Sequence, residues 1–284
     1  MPIDYDDLIS RQQTMEVTHT DTATMLYALG VGMGNSVSNE SELAYTYEGN
    51  GLKTLPTMAT VIVGSSSIFK NCGWDYSKIL HGEQRLRLYR PLPPSGTFLI
   101  EHRVVDVFDK GAERGAVVLD ELKITDKSTD ELLCRMGNTI LARGDGGFGG
   151  KTPDMAPPHK LPDRTPDISI ELHTRDDQAL LYRLCGDRNP LHADPKLAAR
   201  AGFEKPLLHG RCSYGVACRG MLQAVCNYDH TQIIEFNARF SAPAYPGETF
   251  VLDCWRDSEI VSFRLRLRDR DAIVLNNGKC VLAT

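Results

Sequence analysis

Within six residues, Asp187, Asn189 and His192 bring together an acid, an amide and an imidazole. Gly186 and Pro190 interrupt helical continuity around them, so the segment reads as a bent loop on which acid and imidazole can converge. The run before it, 176–184, carries apolar Leu180, Leu181 and Leu184 and predicts a short helix that delivers the chain to the loop. Further on, Lys205-Pro-Leu-Leu-His-Gly210 leads into a long apolar run, 212–225. That places Gly210 at a helix N-terminus, where free backbone N–H groups can hold a partial negative charge on a ligand oxygen. These are the parts of a proton-transfer site beside a carbonyl. Asp187 and His192 would hold and activate a water, Asn189 would orient one of them, and the Gly210 N–H would stabilise an enolate oxygen. The same Gly-Asp-x-Asn-Pro spacing is good turn chemistry, because Asp and Asn bond their own backbone; spacing alone leaves both readings open.

The motif Tyr182-x-Leu184-x-Gly186-Asp187-x-Asn189-Pro190-Leu191-His192 is followed by Ala198, Gly202-Phe203 and Pro206-Leu-Leu-His-Gly210. It resembles the hydratase 2 family of MaoC-like dehydratases, the (R)-specific 2-enoyl-CoA hydratases, and most of all the hydratase portion of peroxisomal multifunctional enzymes of type 2. The likeness extends to Tyr27-Ala-Leu-Gly-Val-Gly32, Tyr47-Glu-Gly49, Leu80-His-Gly-Glu-Gln84, Gly146-Gly-Phe-Gly-Gly150 and Tyr245-Pro-Gly247, and so to nearly the whole chain. The resemblance implies that Asp187 and His192 are the catalytic pair, that Asn189 fixes the pair, and that Gly210 supplies the oxyanion-hole amide. It implies reversible syn hydration of a trans-2-enoyl-CoA to the (3R)-hydroxyacyl-CoA in β-oxidation of fatty acids or sterol side chains. No cofactor is expected, CoA being part of the substrate, and a homodimer is the expected assembly. Two rivals share the ligand. A thioesterase on the same fold usually carries its acid on the central helix, and 212–225 has neither Asp nor Glu. A noncatalytic acyl-CoA-binding module would need neither Asp187 nor His192.

The elements that must position these residues come in two sets. Leu26-Tyr27-x-Leu29 is repeated as Leu181-Tyr182-x-Leu184, and the run from Leu86 to Phe98 is paralleled by that from Ala238 to Phe250. Tyr27 and Tyr182 are 155 residues apart and Pro91 and Pro243 are 152 apart, which suggests duplication of a unit of about 130–150 residues. Each half has a long apolar segment, 55–69 and 212–228, expected to be a central helix; the first is the weaker helix because Val61, Ile62 and Val63 equally suit a strand. Alternating β-type runs follow, at 85–89, 97–107, 116–125 and 131–142 in the first half, and at 233–241, 249–253, 260–267 and 272–281 in the second. A strand at 14–18 and a helix at 21–29, started by Thr20 or Asp21, precede them; the polar first fifteen residues have no predicted element. Helices wrapped by antiparallel sheet make an α+β class, and the resemblance names it a double hot dog. The expected organisation is a noncatalytic, acyl-tail-accommodating unit over 1–143, a Gly/Pro-rich linker over 144–166 and a catalytic unit over 167–284. At the offset of 155, Asp187, Asn189 and His192 fall on Gly32, Gly34 and Val37. One active site per chain follows, with space for a bulky acyl tail expected near 55–59.

A net charge of −5 argues against a nucleic-acid partner. Arg183, Arg188, Lys196, Arg200, Lys205 and Arg211 nevertheless surround the motif and could meet the phosphates of coenzyme A. Eight cysteines show no CxxC pair and several lie in apolar runs, where free thiols act as small hydrophobes. A zinc site from Cys185, His192, His209 and Cys212 fits no structural zinc spacing, so no metal is expected. No apolar stretch reaches membrane-spanning length. With no signal peptide at the start, the chain reads as a reduced cytoplasmic protein, and its C-terminal Leu-Ala-Thr differs from the peroxisomal tripeptide. Gly144 to Gly150 matches a dinucleotide loop only weakly, since no helix is predicted after it.

Overall fold

A computed structural model describes residues 3–35, 39–64 and 66–283. In the first half, helix α1 (Tyr5–Ser10) and strand β1 (Gln12–His19) lead to helices α2 (Asp21–Gly30), α3 (Glu40–Thr46) and α4 (Ala59–Ile62). Strands β2 (Ile79–Leu88), β3 (Gly96–Asp109), β4 (Ala116–Asp126) and β5 (Leu132–Ala142) complete it. The second half repeats the plan with β6 (Ile168–His173), α5 (Gln178–Tyr182), α6 (Pro195–Arg200), α7 (Gly210–Ala224), β7 (Ile233–Phe240), β8 (Thr249–Asp257), β9 (Ile260–Leu267) and β10 (Ile273–Leu282). The eight long strands fall where alternation predicted them. The sequence reading missed β6, whose six residues are too few for a clear alternation, and α1, which Asp4 caps by accepting from the Asp7 N–H and which buries Leu8.

All ten strands form one antiparallel sheet in the order β1-β3-β4-β5-β2-β7-β10-β9-β8-β6. Matching β1 to β6, β2 to β7, β3 to β8, β4 to β9 and β5 to β10 makes this order a palindrome about the β2–β7 join. The register at the join agrees. The sequence echo of 152 residues makes Arg85 and Asn237 equivalent, and these two face each other, flanked by Gln84 with Ala238 and Leu86 with Phe236. Tyr27 and Tyr182, the markers of the other echo, also meet, with ring centroids 6.1 Å apart. The two halves are therefore related by an approximate twofold axis, and the fold is a double hot dog.

The halves differ in their central helices. Helix α7 runs fifteen residues and packs on β6, β7, β8 and β10. Its glycines allow this: a Cβ on Gly220 would lie 2.8 Å from Leu252, and one on Gly215 would lie 2.8 Å from the Tyr27 hydroxyl. The equivalent helix expected over 55–69 is reduced to a single 3-10 turn, Pro56–Met58, and the four residues of α4. Neither is it a strand. Thr57, Thr60, Val61, Ile62 and Val63 are β-branched and gain little from a helix. Gly64, at φ +59°, then ends it. Beyond Gly64 the backbone is held by side chains instead: the Arg11 guanidinium donates to the carbonyls of Ile68 and Lys70, and the Gln13 carbonyl oxygen accepts from the Ser67 N–H.

Residues 144–166 contain no helix or strand, and they are fastened at both ends. Asp109 accepts from the N–H groups of Gly147 and Gly149, taking the donors that a dinucleotide phosphate would need. Toward the other end, His159 bonds Ser262, its carbonyl accepts from Asn277, and the Arg164 carbonyl accepts from Trp255.

Candidate active site

Helix α5 and the 3-10 turn Arg183–Cys185 end at Gly186, whose φ of +130° reverses the chain at a position that a side chain would strain. The loop beyond is built from its own polar groups. The Asn189 N–H donates to Asp187 Oδ1 at 3.1 Å, and Asn189 Oδ1 accepts from the Leu191 N–H at 3.0 Å. Pro190 then starts a single 3-10 turn that ends on His192. The turn-forming reading of this segment is thus physically realised. The turn is what brings acid and imidazole together, and the Asn189 side chain steadies that turn through the Leu191 N–H.

His192 Nδ1 lies 2.9 Å from the Leu207 carbonyl oxygen, which can only accept. The proton therefore sits on Nδ1, and Nε2 is an acceptor while the ring is neutral. His209, at the N-cap of α7, stacks on His192 with centroids 3.7 Å apart and donates from Nε2 to the Asp187 carbonyl at 3.1 Å. One ligand atom each of Asp187, His192 and His209 lies within 4.8 Å of the others. Burial lowers the His192 pKa below 6.5, against the Leu207 hydrogen bond and the Asp187 charge, which raise it. Burial, then the neighbouring His192, push His209 down to about 4. Both rings are neutral at pH 7. The Asp187 side chain is exposed, unlike the two rings.

Gly210 is the first residue of α7, and no side chain caps that end, so its N–H groups remain open. A Cβ there would approach the Phe240 ring to 3.2 Å. The zinc quartet weighed from sequence does not assemble: Cys212 is buried and its Sγ faces the Gly30 carbonyl.

A cavity of about 530 Å³ opens beside this loop. Tyr182, Cys185, Gly186 and Asp187 form one side, and Thr60, Val61, Val63 and Gly64 of the shortened first-half helix form another. Of the four predicted site residues, Asp187 alone lines it. Leu55, Met58 and Ala59, where room for a tail was expected, are packed in the core; the space lies immediately after them, where the helix stops. Sequence reasoning did not find His81, His102, Asp120 and Asn138, which also line the cavity. Their signal was present, because each puts a polar side chain on the inward face of an alternating strand.

The first-half counterpart of the loop is bonded to neighbouring helices. Gly32 and Gly34 keep positive φ, the Gly32 carbonyl accepts from buried Arg219 of α7 at 2.6 Å, and the Gly34 N–H donates to buried Glu42. Val37, onto which His192 maps, lies outside the described residues.

Residues 17–144 match the family described as MFE-2 hydratase 2 N-terminal domain, and residues 158–276 match that described as MaoC like domain. Enoyl-CoA hydratase ChsH3 of Mycobacterium tuberculosis is 38% identical, with 98% of each chain aligned. Peroxisomal multifunctional enzyme type 2 of mouse is 36% identical over 92% of this chain, which spans 36% of that longer enzyme. Among solved structures, a MaoC-like dehydratase from Phytophthora capsici superposes with a TM-score of 0.88 at 28% identity, covering 99% of this chain and 98% of that one.

Proposed function

This chain belongs to the hydratase 2 family of MaoC-like dehydratases, and on that premise we propose that it adds water reversibly and syn across the double bond of a trans-2-enoyl-CoA, giving the (3R)-hydroxyacyl-CoA, as a step of β-oxidation. The observation that carries the reading is the pairing of Asp187 with a His192 whose Nδ1 is fixed on Leu207, leaving Nε2 turned to chemistry. A water held between carboxylate and Nε2 gives up a proton as its oxygen bonds to C3. The electron pair of the double bond moves toward the thioester oxygen, the Gly210 N–H supports the enolate, and a proton returned to C2 completes the addition of H and OH. Asn189 keeps the loop in shape. The chemistry needs no cofactor and no metal. The thioesterase reading is disfavoured because α7 carries no carboxylate along its length.

The CoA moiety would meet the basic residues around the motif. Arg188, Lys196 and Arg200 are exposed, and among the described residues they form no ion pair, whereas Arg264, Arg266, Arg268 and Arg270 are all paired with acids. The first half would receive the acyl tail in the cavity left by the short helix. No helix among the described residues is long and apolar enough to cross a membrane; a cytoplasmic or peroxisomal site of action would be read by imaging the tagged protein. For the homodimer, Leu29, Leu180 and Leu184 are exposed apolar side chains that a partner could cover, and sedimentation equilibrium measures the assembly.

The test is a two-signal assay on crotonyl-CoA. Hydration removes the ultraviolet absorbance of the conjugated enoyl thioester without releasing thiol. Thiol release, or no change in either signal, overturns the reading.

A further inference from the structure

The cavity that begins at Asp187 ends on a polar floor. Asp120 on β4 and Asn138 on β5 face each other across the sheet register, and His102 lies on the neighbouring β3. These three side chains line the cavity while being only 3%, 4% and 5% exposed. They are also linked. His102 Nε2 is 3.2 Å from Asp120 Oδ2, the Asn138 amide donates to Asp120 Oδ1, and His102 Nδ1 is 2.7 Å from the Ser66 hydroxyl. Arg211 reaches in from the start of α7 with long contacts to Asn138 Oδ1, at 3.5 Å, and to the Thr60 carbonyl, at 3.4 Å. Arg211 Nε, His81 Nε2 and His102 Nε2, the last close to Asp120 but not in hydrogen-bond geometry with it, are buried without a hydrogen-bond partner among the described residues.

An alkyl tail would cover these groups and give them nothing in return, and burying a polar atom without a partner is unfavourable. We propose that the acyl group this cavity takes carries a hydroxyl, read by His102, Asp120, Asn138 and Arg211. A hydroxyl both donates and accepts, and the floor offers both kinds of partner: the Asp120 carboxylate to accept, and the Arg211 guanidinium to donate. A carboxylated tail fits less well, because Asp120 would repel it. Apolar Leu122 and Ile140, which also line the cavity, suit the hydrocarbon on the way.

The inference rests on the hydratase reading above, and one experiment separates the two. Hydration rates are compared for crotonyl-CoA, for a long straight-chain 2-enoyl-CoA, for a series of the same length bearing one hydroxyl at different carbons, and for the matching chain with a terminal carboxylate. At least one hydroxylated chain should exceed the plain chain in kcat/KM by about tenfold or more, since sites built to bond a substrate hydroxyl discriminate against its absence. His102→Phe and Asn138→Leu should erase that ratio. If crotonyl-CoA is not hydrated at all, both readings fall. If it is hydrated but no hydroxyl position beats the plain chain, the floor is satisfied by water and this inference alone falls. It falls equally if the carboxylated chain is preferred, or if the ratio survives in folded variants. Should a variant not fold, the wild-type series still decides.

Discussion

The proposed reaction gives each atom of Asp187 and His192 a defined role, and this allows the individual residues to be tested. Asp187→Asn keeps the shape and the hydrogen bond from the Asn189 N–H while removing the proton acceptor, and His192→Gln removes the Nε2 acceptor. Each should lower kcat about 10²–10⁴-fold with the melting curve little changed, and the double variant should be hardly worse than either single one because both act on one water. Wild-type hydration rates in folded Asp187→Asn would leave the segment with its turn-forming role only. Asn189→Ala should cost less, since its oxygen steadies the Leu191 N–H. The pH profile has a definite sign. His192 must be neutral to accept a proton, and burial holds its pKa below 6.5, so kcat should be flat from neutral pH down past 6.5 and then fall. A limb starting above 6.5 would show that another group controls the rate. The juxtaposition of Asp187 and His192 was legible because both lie within one short motif. The Leu207 carbonyl that fixes the tautomer was not, since a backbone oxygen carries no mark in the sequence.

Helices and strands differ in how far they could be read. Strands announce themselves by alternation, and all eight long ones were found. The run 55–69 is mostly apolar up to Val63, and its length does not show that Gly64 and the Arg11 and Gln13 side chains take the chain over before a long helix can form. That interruption makes the cavity. Val63 borders it, so Val63→Trp should fill the path of a long tail and lower the ratio of long-chain to crotonyl-CoA kcat/KM at least about tenfold, as steric exclusion in an enzyme pocket commonly does. An unchanged ratio in a folded variant would place the tail elsewhere. The polar floor left a signal that was not used: His102, Asp120 and Asn138 sit at inward positions of well-predicted strands, where the alternation calls for apolar residues.

Across the whole molecule, histidines govern the response to acid. His81 is held at about 3 and His209 at about 4, burial being the first cause for each, and burial also lowers His19, His159, His192 and His230. Below pH 6.5 the unfolded chain takes up protons that these rings refuse in the fold. Stability is therefore fully present above that pH and declines as pH falls from 6.5 toward 3. Thermal melting should show a Tm clearly lower at pH 5 than at pH 7.5, and a Tm that rises on acidification would contradict the burial of these rings. Duplication was legible at this scale from two echoes, but that the halves share a single sheet was not, because strand pairing between distant segments leaves no local pattern.

The palindromic order of strands has an evolutionary consequence. A residue that pairs with its own duplicate, as Arg85 does with Asn237, sits where a symmetry axis of two identical chains would pass. This is the arrangement that fusion of two copies of a single hot dog subunit, paired through the same edge strands, would leave. The two copies differ now: the first-half loop is the Gly32–Gly34 turn whose Gly32 carbonyl takes Arg219, and the first-half helix is the short one. The ancestry should still be recoverable in the laboratory. Fragments 1–156 and 157–284, each keeping the part of the linker that clings to it, should reassemble on co-expression into an active heterodimer. Each fragment expressed alone should lack hydratase activity. If the co-expressed fragments do not associate, the seam is a product of tethering rather than an inherited interface.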